Sequence, residues 1–378
     1  MRAPEPQPVT FVELFFDLVF VFAVTQVTVL TAHDLTVGGV LRSLLLFWLI
    51  WWAWTQFTWT LNPADTTHSA VRLVTLVATG IAFVMATMVP HAFEEDAIWF
   101  AIPYVLVRVL GLGLQVRMDT DHEGSGQRGV LTWTAFSAIG LVLVLVGALL
   151  DPGIRTWFWL LAIAADLGAA AVAGRAAVWE LDPPHISERH GLFVIIALGE
   201  SLIVAGTAVA GEIRTDALIG VAAVALVIAG LMWWSYFGWL QKSLEHAFVA
   251  APPDRFGPIA RDAFSLAHFP LICGIVGFAV AVEEMVAHPD EPVSGSVIAA
   301  LGVGVALFVG FSAVSYWVLH RRILVIRAVA LGAMLVALAI VAPLAPIWPL
   351  AVVASAMLVI VAIESRREPG AARPVSPG

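Results

Sequence analysis

Cysteine, lysine and charge are all scarce in this chain of 378 residues, and each shortage excludes something. Cys273 stands alone, so an internal disulfide is impossible and a cysteine-based zinc site is ruled out. Charged residues make up 12% of the sequence, against about 25% in a typical soluble domain. The one lysine, Lys242, lies at the end of an apolar stretch and not in its middle, which argues against a Schiff base to a retinal-type chromophore. The sequence has no phosphate-binding loop, no nucleophile elbow and no cofactor-binding motif, so neither an enzyme nor a cofactor is expected. Nucleic acid is not an expected partner either. The N-terminal MRAPEPQPVT has one arginine and no cleavage pattern, so the first apolar segment is expected to persist as a span.

What is abundant is apolar: 60% of residues are hydrophobic, with 15 Trp and 21 Phe. A helix needs roughly 20 apolar residues to cross about 30 Å of hydrocarbon. Twelve stretches approach or exceed that length: 11–32, 39–60, 69–90, 97–117, 129–150, 156–179, 190–210, 215–240, 260–286, 296–319, 323–342 and 346–363. The last two are the weakest, because only the proline-rich APLAPIWP separates them. The expected fold is all-α, a polytopic transmembrane helix bundle of about 12 spans, with the lipid bilayer as its main partner.

Arginine and lysine concentrate on the cytosolic side of membrane proteins. With a cytosolic N-terminus, fourteen fall in inner segments, from Arg2 and Arg72 to Arg367 and Arg373, and three at outer ends: Arg42, Arg155 and Arg214. The bias predicts a multi-pass protein of the plasma membrane with both termini in the cytosol. The acids run the other way, with Glu94, Glu95, Asp96, Glu283, Glu284, Asp290 and Glu291 outside. They read as solvated loop ends or as a field that gathers cations at an outer mouth.

A weak internal similarity supports two parallel six-span repeats. Trp51-Trp52 aligns with Trp233-Trp234 at an offset of 182, which brings Asp17 within one residue of Glu200. The expected organisation is an N-terminal tail (1–10), a first half (11–179), a cytosolic connection (180–189), a second half (190–363) and a disordered cytosolic tail (364–378).

Ionisable residues inside spans are costly, by roughly 2.5–3.5 kcal/mol on insertion scales, and mark functional candidates. Glu13 and Asp17 share one face of the first span, and Thr28 falls near it. Asp166 and Glu200 each lie about ten residues into a span, near the midplane at 1.5 Å per residue. Arg108 lies at a similar depth and can pair with Asp166, Glu200 or Asp17. These residues form either an ion-pair network that fixes helix packing or a path for a proton or small cation. Gly199 and Gly206, with their small neighbours, suggest close helix approach or an unwound segment. In the connection LDPPHISERHG, Ser187 or His190 can cap the next helix. His185, Glu188 and His190 lack a fourth ligand and a recognised spacing, so no metal is assigned.

Two stretches carry a resemblance: VTFVELFFDLVFVFAVTQV (9–27) and ERHGLFVIIALGESLIVAG (188–206). Both resemble motifs of the bacterial low temperature requirement A family, and the Trp-rich second span fits as well. The resemblance implies an integral membrane protein linked to growth in the cold, with no catalytic roles to transfer. It marks Glu13, Phe16, Asp17, Glu188, Arg189, His190, Gly191, Gly199, Glu200 and Ser201 as motif positions. Two functions follow as expectations: a cation- or proton-linked transporter or channel, or a non-transporting protein that supports the envelope through lipid or partner contacts.

Overall fold

The computed structural model describes residues 7–119, 125–176, 180–211 and 215–366, and among these the chain is helical without strands. The tail positions Arg2, Arg367 and Arg373 and most of the C-terminal tail lie outside the described residues, as does Arg214. The long helices are α1 (Phe11–His33), α2 (Val37–Leu61), α3 (Ser69–Thr87), α4 (Ile98–Asp119), α5 (Ser125–Ala148), α6 (Pro152–Ala176), α7 (Pro183–Gly211) and α8 (Asp216–Phe237). After these come the shorter α9 (Leu240–Val249) and α10 (Phe256–Ile259), then α11 (Ala267–Ala287), α12 (Gly295–His320), α13 (Val325–Val341) and α14 (Ile347–Glu364). Eleven of the described helical segments are long and apolar enough to cross a membrane; α13, at 17 residues, is a shorter apolar helix. Each of the twelve expected spans therefore coincides with a helix.

The outward faces explain the composition. Leu161, Leu226, Val336 and Ile340 are exposed side chains that water would penalise and hydrocarbon does not. Side-chain polar contacts gather at helix ends and in a few buried clusters, beside hydroxyls such as those of Thr75 and Thr79 that turn back to their own helix. Thr36, Thr215 and Ser294 accept the N–H of Gly39, Leu218 and Val297 and so cap α2, α8 and α12.

The chain divides into two compact units, Met1–Phe193 with Ala251–Arg261, and Val194–Ala250 with Asp262–Gly378. In the first, α1 packs on α2 and α3, α4 on α2, α3 and α5, and α5 on α6. Helix α2 buries the large aromatic side chains Trp51, Trp52, Trp54 and Phe57. In the second, α11 packs on α8 and α12, α14 on α8 and α13, and α12 on α9 and α13.

Two expected boundaries are corrected. The connection was expected to run to residue 189, but α7 begins at Pro183. A proline at the first helical position loses only an N–H that has no intrahelical partner there, so Pro183-Pro184 opens the helix instead of delaying it. Ser187 and His190 are therefore interior residues and cap nothing. Glu364, expected in a disordered tail, is the last residue of α14 and is buried.

The entry into α11 is a π-helical turn over Ala260–Leu266. Pro270 has no N–H to offer the carbonyl one turn back, which loosens the regular ladder there. Ala263, in that turn, accepts from Ser315 Oγ at 2.8 Å and from His268 Nδ1 at 2.9 Å. The other ring nitrogen of His268 meets the Tyr236 hydroxyl at 2.7 Å.

Candidate functional site

Of the four buried arginines among the described residues, three (Arg108, Arg189 and Arg327) are met by carboxylate. The most elaborate arrangement joins α1, α2 and the start of α7 within the first unit. Glu13 and Asp17, four residues apart, present both carboxylates on one face of α1. His185 and Arg189, also four apart, face them from α7. Arg189 Nη1 donates to Glu13 Oε1 at 3.0 Å, and Nη2 donates to Asp17 Oδ1. Trp54 on α2 donates its indole N–H to the same Asp17 oxygen at 2.7 Å, and its ring lies 5.7 Å from the guanidinium carbon. Glu13, Asp17 and Arg189 are all fully buried.

The rest of Glu13 is held from the chain start. Its Oε2 accepts from the Thr10 N–H and hydroxyl, both at 2.9 Å, so the acid ties the N-terminus of α1 to its own side chain. Residues 7–10, part of the expected N-terminal tail, are held by two more bonds. Gln7 Nε2 donates to the Ala64 carbonyl, and the Val9 N–H donates to Glu188 at 3.3 Å. His185 Nε2 lies 3.1 Å from Glu13 Oε1, at an angle too oblique for a good hydrogen bond. Its Nδ1 faces Asn62 Nδ2 at 3.2 Å. Asn62 also pairs with the backbone of Asp182, just outside α7, through two bonds of 2.8 and 3.0 Å. Partial burial pushes the Asp182 carboxyl above its usual range.

His185, Glu188 and His190 thus turn three ways: to Glu13, to Val9 and, for His190 Nδ1, to the Ile186 carbonyl at 2.8 Å. Among the described residues, no group of three His, Cys, Asp or Glu side chains is placed to hold a metal ion. Phe16 packs against Phe20 and Phe57 with ring centres 4.8 and 4.7 Å away. His190 packs edge-on against Trp54 at 5.0 Å. The tryptophans of α2 thus wall the ion-pair cluster on its apolar side.

Arg108 chooses Asp166 among its candidate partners. Nη1 and Nη2 donate to Asp166 Oδ2 and Oδ1 at 3.0 and 2.8 Å, the parallel fork that suits guanidinium to carboxylate. Nη1 also reaches the Tyr104 hydroxyl at 2.8 Å, Nε donates to Gln56 Oε1, and Gln56 returns a bond to the Arg108 carbonyl at 3.0 Å. One positive and one negative charge balance, and the network stitches α2, α4 and α6 together. Lysine could not reproduce the fork. Arg108→Lys is expected to lower stability by about 1–3 kcal/mol, measured as a lower midpoint in thermal unfolding of the detergent-solubilised protein.

The second unit holds a third arrangement that sequence reasoning missed. Arg327 on α13 donates to Glu364 through Nε at 2.9 Å and Nη2 at 2.8 Å, and also to Ser235 and Ser312. Trp239 Nε1 completes the carboxylate at 3.2 Å. The signal was available, since Arg327 lies in an apolar stretch and Glu364 ends the next one. Arg155 was also missed: counted as an outer-loop charge, it is buried and donates to the carbonyls of Ala92, Glu94 and Leu150 at 3.2, 2.8 and 3.0 Å.

Of the four candidate acids, then, Glu13 and Asp17 share one cluster with Arg189, and Asp166 belongs to Arg108. Glu200 is buried on the part of α7 that lies in the second unit. Thr28 is buried too, and its hydroxyl turns back to the Val24 carbonyl at 3.1 Å. The helix runs unbroken through Gly199 and Gly206, and a Cβ at either would meet nothing within 4 Å. No unwound segment occurs there, and neither glycine is a point of close helix approach.

The sequence model of the bacterial low temperature requirement A protein family matches residues 8–362. The chain belongs to this family. It is also similar to an uncharacterized protein of Rhizobium meliloti (strain 1021), 28% identical over 291 residues, covering 75% of this chain and 70% of that protein. No solved structure matches. In this low temperature requirement A protein, the two motif stretches that carried the resemblance meet physically: Glu13, Phe16 and Asp17 come from the first, and Glu188, Arg189 and His190 from the second. Segments more than 170 residues apart in sequence thus build one buried cluster.

Proposed function

We propose that this low temperature requirement A protein is a proton- or cation-linked transporter or channel of the bacterial plasma membrane, with both termini in the cytosol. The observation that carries the reading is a charge count. Arg108 faces one carboxylate and Arg327 faces one, so those clusters are neutral and complete. Arg189 faces two, Glu13 and Asp17, both fully buried. One surplus negative charge in so dry a place is costly unless a mobile positive charge visits it. A site built to take and release one such charge is what ion-linked movement requires. Glu200, buried in the second unit, is a second candidate carboxylate by its burial alone. Asp166 is not assigned, because its charge is already neutralised by Arg108.

The competing reading is a non-transporting membrane protein in which all buried charges fix helix packing. The two balanced clusters favour it for Arg108 and Arg327. Flux separates the readings. Purified protein in liposomes is expected to move protons or monovalent cations under an imposed gradient. Asp17→Asn combined with Glu200→Gln is expected to reduce that flux to the level of empty vesicles, with the thermal midpoint checked alongside. A folded double variant that conducts as well as the parent removes the transport assignment.

A further inference from the structure

We propose that the balancing charge is a proton, carried on Oδ2 of Asp17, while Glu13 remains ionised. This deepens the transport reading by naming the ion, and rests on that reading only for what the proton is used to do.

The assignment follows from hydrogen-bond roles. Asn62 is oriented by the backbone of Asp182: its Oδ1 accepts the Asp182 N–H at 2.8 Å and its Nδ2 donates to the Asp182 carbonyl at 3.0 Å. Nδ2 has one hydrogen left, and it points to His185 Nδ1 at 3.2 Å. That nitrogen must be the acceptor, so His185 is neutral and carries its proton on Nε2, toward Glu13. The imidazole therefore does not cancel the surplus negative charge.

The proton must then sit on a carboxyl oxygen, and three of the four are already occupied as acceptors. Glu13 Oε1 accepts from Arg189, and Oε2 accepts twice from Thr10. Asp17 Oδ1 accepts from Arg189 and Trp54. Asp17 Oδ2 is buried and has no hydrogen-bond partner. An ionised carboxylate oxygen left bare in such a place loses the solvation of a charge, whereas a protonated one loses only the smaller solvation of a neutral hydroxyl. A metal cation would need several oxygen ligands around it, and no His, Cys, Asp and Glu group of that kind exists among the described residues. Other charges on neighbouring elements are engaged elsewhere: Arg72 Nε donates to the Thr66 carbonyl, and His91 pairs with Glu94. The step itself is simple: a hydronium gives one proton to the Asp17 carboxylate, leaving a carboxylic acid and water.

The test is infrared spectroscopy on the full-length protein reconstituted in lipid. A carboxylic-acid C=O stretch is expected near neutral pH, shifting down when H2O is replaced by D2O. It should be lost in Asp17→Asn. Should Asp17→Asn fail to fold, Trp54→Phe serves instead. Removing the indole donor from the carbonyl oxygen Oδ1 is expected to raise the same C=O frequency. A band that survives Asp17→Asn or does not move in Trp54→Phe overturns the assignment. A band with all the expected responses but no flux in liposomes supports the proton site and removes transport. Asp17-dependent flux without the band does the reverse.

Discussion

Arg189→Met is expected to destabilise the protein by about 3–5 kcal/mol, the cost of stripping the partner from buried charge. The methionine stem fills much of the space of the arginine stem, so packing changes little and electrostatics decides. The guanidinium serves Glu13 and Asp17 at once and stacks on Trp54. Without it, two acids with no exposed surface lie against each other. The effect should be conditional. Adding Glu13→Gln and Asp17→Asn to Arg189→Met removes both orphaned acids, and the triple variant is expected to recover most of the loss. A cycle of thermal or denaturant midpoints measures the coupling. If Arg189→Met unfolds within about 1 kcal/mol of the parent, the value reserved for surface pairs, the cluster is not the electrostatic keystone described.

The second large effect is steric and lies at the seam of α11 and α12. A Cβ on Gly274 would stand 2.5 Å from both the Gly304 carbonyl oxygen and the Phe308 nitrogen. A Cβ on Gly304 would stand 2.8 Å from the Phe278 nitrogen and 2.9 Å from the Gly274 oxygen. These neighbours are backbone, which cannot step aside by rotating about a side-chain bond. The two helices have therefore approached as closely as glycine permits, the packing used where lipid offers no hydrophobic push. Gly274→Ala or Gly304→Ala is expected to cost about 1–3 kcal/mol, and leucine at either site to block the packed state. Gly199→Ala and Gly206→Ala are the controls: with open space around both, alanine is expected to be neutral or to stabilise by up to about 1 kcal/mol through helix propensity. Equal responses at all four glycines, read as thermal midpoints, would contradict the seam.

The glycines illustrate what a one-dimensional reading can and cannot extract. Near Glu200, small residues cluster visibly in sequence, yet a Cβ at Gly199 or Gly206 would meet nothing within 4 Å. At Gly274 and Gly304 the signal is scattered through long apolar runs, and only the crossing of two helices makes it matter. Arginine behaves the same way. Arg189 and Arg155 were counted as loop charges because each stands next to a polar segment. In the fold, Arg189 turns inward to two acids, and Arg155 turns onto carbonyls that end other elements.

By itself the sequence determined the solvent and the secondary structure. Twelve apolar stretches, 12% charge and aromatic abundance leave a membrane-embedded helical bundle as the only economical solution, because every backbone polar group in lipid must be satisfied within its own helix. It also determined which residues had to be special, since Glu13, Asp17, Asp166 and Arg108 are too costly in hydrocarbon to be incidental. Only the tertiary structure decided the pairings: Arg108 with Asp166, and Arg189 with both Glu13 and Asp17. Helical periodicity fixes which face a charge occupies, but the choice of partner depends on how helices distant in sequence are juxtaposed, and no local pattern encodes that.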